Sequence, residues 1–357
     1  MSTNLETRFY QPGDEYEIVE LLKISFPYWA SLRSPVDYLK WRYLDSYYRS
    51  FVVVVTSGKK IICINLQTTQ KIKMMGTIFL STFGAETATH PDFRGMGAWN
   101  KTLDFFEKSR LDNQIKFHYS NTQNPIVIQK SLNTERYTFP HQMNEMLRMK
   151  NAGQIKSLTQ RSGFIALKAL NKINNSFAAD QYEEADFEII GITHFDDGVD
   201  KFFAQTETYY NYCLEKNHQF LNWRYFDPRG GDYHVSQAMK DGEVLGFIVL
   251  ESIKAENRLV GNITDLLTLP GREDVAKALI RDACEYFDDR EFNSIKFGVA
   301  KGHPYQSISS RLGFLDTSMV TKMLTFGVFS PLGDIYERLS SSPPDKICYN
   351  LGDVYLH

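Results

Sequence analysis

The clearest chemical signature in the sequence is THPDFRGMGAWNKTL, residues 89–103. Pro91 ends an extended stretch, Gly95 and Gly97 follow it, and the apolar spacing after them predicts a helix. Glycines allow close approach of the backbone, and a helix start leaves N–H groups without partners. The turn therefore suits a phosphate or pyrophosphate group. It lacks the Gly-Lys-Ser/Thr of a P-loop and the spacing of a dinucleotide fingerprint.

The wider pattern resembles a known family. A strand, then P-x-F-R-G-x-G, an amphipathic helix, a further strand, and Asn with a short helix are typical of the GNAT superfamily of acyl-CoA-dependent N-acyltransferases. The resemblance is carried by residues 75–150. The family signature Q/R-x-x-G-x-G/A is matched at Arg94 and Gly97, whereas Trp99 stands where a small residue is usual. The resemblance implies an acyltransferase with an α/β fold built on a mixed sheet.

It also implies acetyl-CoA as the acyl donor and assigns the residues that hold it. Backbone groups at the end of a strand would pair with the pantetheine arm: Thr87, Ala88 and Thr89. N–H groups of the turn would hold the pyrophosphate: Arg94, Gly95, Met96, Gly97, Ala98 and Trp99. Asn124 matches the Asn of the family's N-x-x-A-x-x-L-Y motif and would position the thiol end of the cofactor.

Acyl transfer to an amine needs a proton acceptor and a group that stabilises the oxyanion. Glu86 is the candidate base because it lies on the strand that should line the acyl end of the cofactor; the alternative is an exposed or ion-paired strand residue. The Tyr with which the family protonates the leaving thiolate falls on Ser131. His90 and His118 could also serve as bases, although a structural or exposed position is the plainer interpretation of each.

The elements that must position these residues come in two copies. YLKWRYLD at residues 38–45 recurs as FLNWRYFD at residues 220–227, and an IKF triplet recurs in the same order. Within each phrase, we expect an aromatic pair and an ion pair at a spacing of three on a short helix. The phrase is thus interpreted as a structural staple that marks a duplication; the alternative is an active-site signature.

The repeat predicts two tandem GNAT-like domains. Residues 1–150 form the first, with the acyl-CoA site, and 151–186 form a basic linker helix region whose alternative role is an anion site. Residues 187–330 form a second copy, and 331–357 form a tail that packs back on the body. The second copy reads LPGREDVAKALI, with Val275 in place of a glycine, so we expect it to have lost the acyl-CoA site.

Composition limits the partners and the cellular location that we expect for this protein. The 40 basic and 43 acidic residues leave a net charge of −3, which provides no general attraction for nucleic acid. The four cysteines show no ligand spacing, so neither a metal site nor disulfides are expected. No signal peptide and no membrane-spanning run is recognised. A cytoplasmic protein is predicted.

The favoured function is transfer of an acetyl group from acetyl-CoA to a small-molecule amine, such as an amino sugar or an amino acid derivative. One alternative is an aminoacyl-tRNA-dependent aminoacyltransferase of similar tandem fold. The other is a non-catalytic acyl-CoA-binding or scaffold protein, which Trp99 and Ser131 favour.

Overall fold

The computed structural model describes residues 5–115, 117–122, 129, 137–139, 141–150, 186–255, 258–317, 324–328 and 333–353. Asn124, Ser131 and nearly all of the predicted linker region, 151–185, lie outside the described residues. Their predicted roles stay predictions.

Short and long helices cover both halves of the chain. The described α-helices are α1 Glu15–Ser25, α2 Pro27–Ser31, α3 Pro35–Leu39, α4 Ala98–Asp112, α5 Gly198–Glu207, α6 His218–Tyr225, α7 Glu273–Asp289, α8 Pro304–Arg311 and α9 Gly333–Ser340. A π-helical turn, Lys40–Leu44, continues α3, and 3-10 turns cover Pro91–Phe93, Pro344–Lys346 and Leu351–Asp353.

Eight strands of the described residues form a first sheet. They are β1 Leu5–Phe9, β2 Phe51–Ser57, β3 Lys60–Met74, β4 Thr77–Thr89, β5 Phe117–Thr122, β6 Tyr137–Thr138, β9 Tyr212–Leu214 and β15 Leu324–Val328. The order is β1-β2-β3-β4-β5-β15-β6, and β9 pairs with the end of β3. Buried β-branched residues of β2 make it a central strand.

Seven described strands form the second sheet. They are β7 Met143–Met149, β8 Glu188–Ile192, β10 Tyr233–Lys240, β11 Glu243–Ala255, β12 Arg258–Thr268, β13 Ser294–Ala300 and β14 Leu315–Asp316. The order is β14-β7-β13-β12-β11-β10-β8. Each sheet has one parallel pair in a corresponding place, β4 with β5 and β12 with β13. The predicted mixed α/β class with two related halves is confirmed.

The two sheets exchange strands. Strand β7 precedes the predicted boundary at residue 150 but pairs with β13 of the second sheet. Strand β15, near the end of the chain, pairs with β5 of the first sheet. The division into ranges 1–150 and 187–330 stays a prediction about folding units, while the sheets themselves are interlocked.

One helix covers a face of each sheet, and its spacing explains why. The buried residues of α4 recur every four positions: Ala98, Thr102, Phe106 and Arg110. Helix α7 likewise buries a continuous apolar stripe that includes Val275, Leu279 and Ile280. Val275 is therefore a core residue of this helix and not part of the preceding turn.

The repeated phrases meet where the two halves pack together. The rings of Trp41 and Trp223 stack with centroids 5.3 Å apart. Trp41 Nε1 donates to the carbonyl oxygen of Trp223 at 2.9 Å, and Trp223 Nε1 donates to that of Trp41 at 3.3 Å. This reciprocal pattern indicates an approximate twofold relation between the halves.

Only part of the predicted staple is present. The aromatic pairs form, because Tyr38 contacts Trp41 at 5.3 Å and Phe220 contacts Trp223 at 5.7 Å between ring centroids. The predicted ion pairs within each phrase are wrong.

The arginine and aspartate side chains of the phrases instead bond to residues outside their own phrase. Arg42 pairs with Glu86, and both Asp45 and Asp227 pair with Arg229. Arg224 donates to the hydroxyl of Tyr233. Partners from other elements are better placed for these side chains than partners one turn along the same short helix.

The IKF repeat is displaced in the structure. Phe117 is opposite Ser81 in the first sheet, whereas Phe297 is opposite Ile263 in the second. Ser81 lies four residues before the bulged residue of β4, Ala85, whereas Ile263 lies one residue before the bulged residue of β12, Thr264. Relative to the bulges, the positions of the two phenylalanines therefore differ by three residues. The triplet is therefore not a structurally equivalent pair.

Candidate functional site

The first sheet opens between β4 and β5. These strands pair in parallel only from Ser81 to Gly84. Beyond that point β4 continues to Thr89 along β3, and β5 continues to Thr122 along β15, with no further pairing between them in the described residues. The opening exposes two strand edges, which can pair with an extended ligand.

A β-bulge lies at the start of this opening. Leu66 of β3 is opposite Glu86, and Gln67 is opposite Gly84, so Ala85 has no opposite residue. A bulge turns the backbone of the extra residue out of the regular ladder. The Ala85 N–H is thus a candidate donor to an oxyanion in the opening.

The glycine turn follows the far end of β4. Gly95 and Gly97 have φ angles of 83° and 78°, in the left-handed region that glycine adopts without strain. Gly97 is the N-cap of α4, whose first turn contains no acidic residue. The residues from Arg94 to Gly97 are exposed. The turn is accessible to an anion, and the helix start favours one.

Trp99 is accommodated in the core beside this turn. Its side chain packs against a small cluster of buried residues that includes Val55, Cys63 and Ala98, and its carbonyl oxygen accepts a hydrogen bond from Thr102. The large residue at this signature position therefore points away from the turn and leaves the exposed glycines clear.

Glu86 is buried, with 3% of its surface exposed. Its Oε1 accepts from Arg42 Nη1 at 2.9 Å and from the hydroxyl of Tyr28, and its Oε2 accepts from the hydroxyl of Tyr43. Charge-assisted bonds of this kind are strong when water is excluded. The ion-paired alternative for Glu86 is thus present, and its role as a base stays a prediction.

Tyr28 is the partner of Glu86 that reaches the surface. It is half-buried, whereas Arg42 and Tyr43 are buried. Burial and the nearby Glu86 carboxylate raise the pKa of Tyr28 above its ordinary value. The hydroxyl therefore keeps its proton at neutral pH and links the buried carboxylate to the outside.

The two histidines have structural contacts. His90 caps the turn after β4 by accepting from the N–H of Asp92 at 3.4 Å, and its Nε2 lies 3.3 Å from Lys60 Nζ. His118 is buried on β5, with its Nδ1 3.0 Å from the hydroxyl of Thr82. Neither histidine contacts Glu86.

Sequence reasoning missed Tyr28, Arg42 and Tyr43 as neighbours of the candidate base. Two of them belong to the repeated phrase, for which a staple was favoured over an active-site signature. The phrase both joins the halves and surrounds Glu86. Its concentration of aromatic residues around an arginine was the available signal.

The described residues contain no group of three or more His, Cys, Asp or Glu side chains that could hold a metal ion. None of the helices that the structure describes is long and apolar enough to cross a membrane.

Comparison with known proteins gives a match at the level of structure. No protein-family model and no curated sequence matches this chain. A probable N-acyltransferase from Enterococcus faecalis superposes with a TM-score of 0.62 at 9% identity, over 90% of this chain and 72% of that one. A GCN5-related N-acetyltransferase from Anabaena variabilis gives 0.62 at 10%, over 91% and 72%.

Saccharomyces cerevisiae N-myristoyltransferase, solved with myristoyl-CoA and inhibitors, gives a TM-score of 0.59 at 10% identity, over 91% of this chain and 80% of that one. The chain has the tandem GNAT fold. In this fold, β4 contains the bulge at Ala85. It then borders the opening to β5 and leads into the turn before α4.

Proposed function

We propose that the chain is an acyl-CoA-dependent N-acyltransferase that moves an acetyl group from acetyl-CoA to the amine of a small molecule, such as an amino sugar or an amino acid derivative. One observation carries the proposal: β4 leads from a buried carboxylate, through unpaired strand edges, to an exposed glycine turn. A long ligand with an anionic end and a reactive end fits such a track.

This track supports the following arrangement of the donor. The pantetheine arm pairs with Thr87, Ala88 and Thr89, where β4 has left β5. The pyrophosphate lies at the N–H groups of Arg94 to Trp99, at the start of α4. Asn124 positions the thiol end. The acyl carbon then lies near the bulge, where the Ala85 N–H faces the developing oxyanion.

The reaction proceeds by direct attack of the amine nitrogen on the thioester carbon. The C–N bond forms in a tetrahedral intermediate, and the C–S bond then breaks to release CoA. The amine proton passes to the Tyr28 oxygen while the Tyr28 proton moves to Glu86, so Tyr28 acts as a relay. Ser131 donates its proton to the leaving thiolate and regains one from solvent, while Glu86 releases its proton to solvent through Tyr28, so the proton balance closes. We place this reaction in the cytoplasm. That reducing compartment agrees with the four cysteines, which are buried and form no disulfide.

A second candidate is a non-catalytic acyl-CoA-binding protein. It is favoured by the three donors that already occupy Glu86: Arg42, Tyr28 and Tyr43. The contact with Arg42, at 2.9 Å and buried, is the arrangement of a structural ion pair. Turnover of an acyl donor with a panel of amines separates the two candidates.

Binding of the donor is tested with Gly97→Ala and a matched control. Gly97 and Gly76 have φ angles of 78° and 83°, and a Cβ at either would meet nothing within 4 Å. Both substitutions therefore introduce similar backbone strain, but Gly76 lies in the hairpin between β3 and β4. Calorimetry should show acetyl-CoA binding about tenfold weaker for Gly97→Ala and unchanged for Gly76→Ala.

The same titration is run with myristoyl-CoA, because one structural neighbour was solved with that donor. Binding of myristoyl-CoA alone would retain the acyl-CoA site and reject the acetyl assignment. Absence of binding by either donor to the unaltered chain would reject the proposed function.

A further inference from the structure

The second sheet has the same opening as the first. Strand β12 pairs in parallel with β13 only from Val260 to Ile263. Thr264 is then bulged, because Leu250 is opposite Ile263 and Val249 is opposite Asp265. Beyond the bulge β12 continues along β11, while β13 continues along β7. Asp265 thus occupies the position that Glu86 has in the first sheet.

This second opening is filled by the end of the chain. The turn Leu351–Asp353 contacts both β12 and β13. A Cβ placed on Gly352 would overlap the hydroxyl of Tyr225 and come within 3.3 Å of the carbonyl oxygen of Thr264 on β12. On the other side, a Cβ on Gly298 of β13 would come within 2.7 Å of Leu351. The segment fits closely against both edges.

A buried cation holds the segment in place. Lys216 Nζ lies 2.6 Å from Asp265 Oδ2 and 2.9 Å from Asp353 Oδ1, and all three side chains are at least 97% buried. The other oxygen of Asp353 accepts from the N–H of Asn350 at 2.7 Å. Asp265 also accepts from Tyr225 at 3.0 Å.

The charges of this cluster favour a carboxylate as the second partner of Lys216. Burial disfavours the Lys216 ammonium, but the carboxylates of Asp265 and Asp353 outweigh that effect and raise the pKa of Lys216. A buried ammonium with one fixed carboxylate still has donor capacity, which a second carboxylate fills. An apolar or cationic group would leave that capacity unsatisfied.

The segment also contacts the first sheet. The hydroxyl of Tyr119, on β5, donates to Gln70 Oε1 at 2.7 Å, and its oxygen lies 3.3 Å from the carbonyl oxygen of Asp353. Tyr119 is buried. The filled opening is therefore joined to the strand that borders the first opening.

We propose that the opening between β12 and β13 is a carboxylate-specific peptide site whose ligand is the chain's own C-terminal segment, residues 348–353, with Lys216 as the selective contact. The segment takes the place that the acyl donor takes in the first half. That parallel rests on the proposed function, whereas the site itself does not.

Displacement of the segment is tested with Gly352→Val in the full chain, without any acyl donor. The added side chain collides with Tyr225 and leaves every charge in place. Hydrogen exchange of residues 350–353 should accelerate about tenfold or more, while β10 to β12 keep their protection. Gly333→Val is the control, since a Cβ there meets nothing within 4 Å. Unchanged exchange in the Gly352 variant would overturn the proposal.

Selectivity is tested by adding a peptide of residues 346–357 to the Gly352→Val chain. Fluorescence anisotropy should show saturable binding of this peptide and at least about tenfold weaker binding of its Asp353→Ala form. Equal binding of both peptides, or of neither, would overturn the carboxylate site. Because no acyl donor is present, a failed proposed function does not alter these readouts.

A second variant covers the case in which Gly352→Val does not fold. Asp353→Ala removes the carboxylate from the full chain and leaves Lys216 paired with Asp265. It should accelerate exchange at residue 350, whereas Asp345→Ala, which removes the carboxylate that accepts from Tyr209, should not. Equal protection in both variants would reject the proposal.

Discussion

The two halves place a carboxylate at the same point, directly after a bulge, and surround it differently. Glu86 pairs with Arg42 of the repeated phrase, and half-buried Tyr28 connects it to the surface. Asp265 pairs with Lys216, which Asp353 also contacts, and all three are sealed from water. In each half the Tyr of the repeated phrase, Tyr43 or Tyr225, donates to the carboxylate. The two halves thus share the strand, the bulge and the carboxylate, and they differ in what occupies the opening beside the carboxylate.

The turns that follow β4 and β12 also differ between the two halves. In the first half, residues 90–97 separate β4 from α4 and include two glycines with positive φ. In the second half only residues 269–272 separate β12 from α7. The first turn of α7 has its own acids, Glu273 and Asp274, where an anionic ligand would be repelled. These differences agree with the prediction that the second half has no acyl-CoA site.

Removal of the second half's cation should have the largest effect. Lys216→Met leaves two buried carboxylates without a counter-charge, so we expect a loss of about 3–5 kcal/mol in the free energy of unfolding. Lys71→Met is the control, because Lys71 is 44% exposed and lies 3.5 Å from Glu215. That variant should lose less than about 1 kcal/mol. Urea unfolding measures both. Similar losses would show that the cluster does not anchor the second half.

Removal of the first half's carboxylate should affect turnover. Glu86→Gln takes away the proton acceptor, so we expect kcat to fall about 100-fold with little change in acetyl-CoA binding. Asp265→Asn, at the equivalent position, should lower stability but retain kcat per folded molecule. Steady-state kinetics at a temperature where all variants are folded gives the comparison. Unchanged kcat for Glu86→Gln would show that Glu86 is not the base.

The sequence predicted features that neighbouring residues determine. The turn before α4 was recognisable because Pro91, Gly95 and Gly97 restrict or free the backbone locally. The duplication was recognisable because a phrase of eight residues was kept. The mixed sheet followed from the family resemblance that this turn carries. Each of these signals lies within a short window.

The rest depended on contacts between distant segments. The opening in the first sheet depends on partners that are distant in the chain, because beyond Gly84 β4 stays paired with β3 while β5 stays paired with β15. The bulge at Ala85 depends on the register with β3. The environment of Glu86 comes from Arg42 and Tyr28, on separate helices. Single-sequence periodicity contains no information about such partners, and the filled second opening was equally invisible.

The contact between the repeated phrases should show the smallest difference between the halves. Trp41 is fully buried, its N–H bond to Trp223 is 2.9 Å long, and a Cβ on Gly230 would overlap its ring. Trp223 is partly exposed, and its reciprocal bond is 3.3 Å long.

Trp41→Phe therefore creates a closed void and leaves a buried carbonyl oxygen without its donor, at a cost of about 2–3 kcal/mol in the free energy of unfolding. Trp223→Phe should cost about 1 kcal/mol, because solvent can replace the weaker bond. Urea denaturation with equal m-values for both variants makes the comparison valid. Equal losses would mean that the twofold contact is energetically symmetric, and that the halves diverged only at their openings.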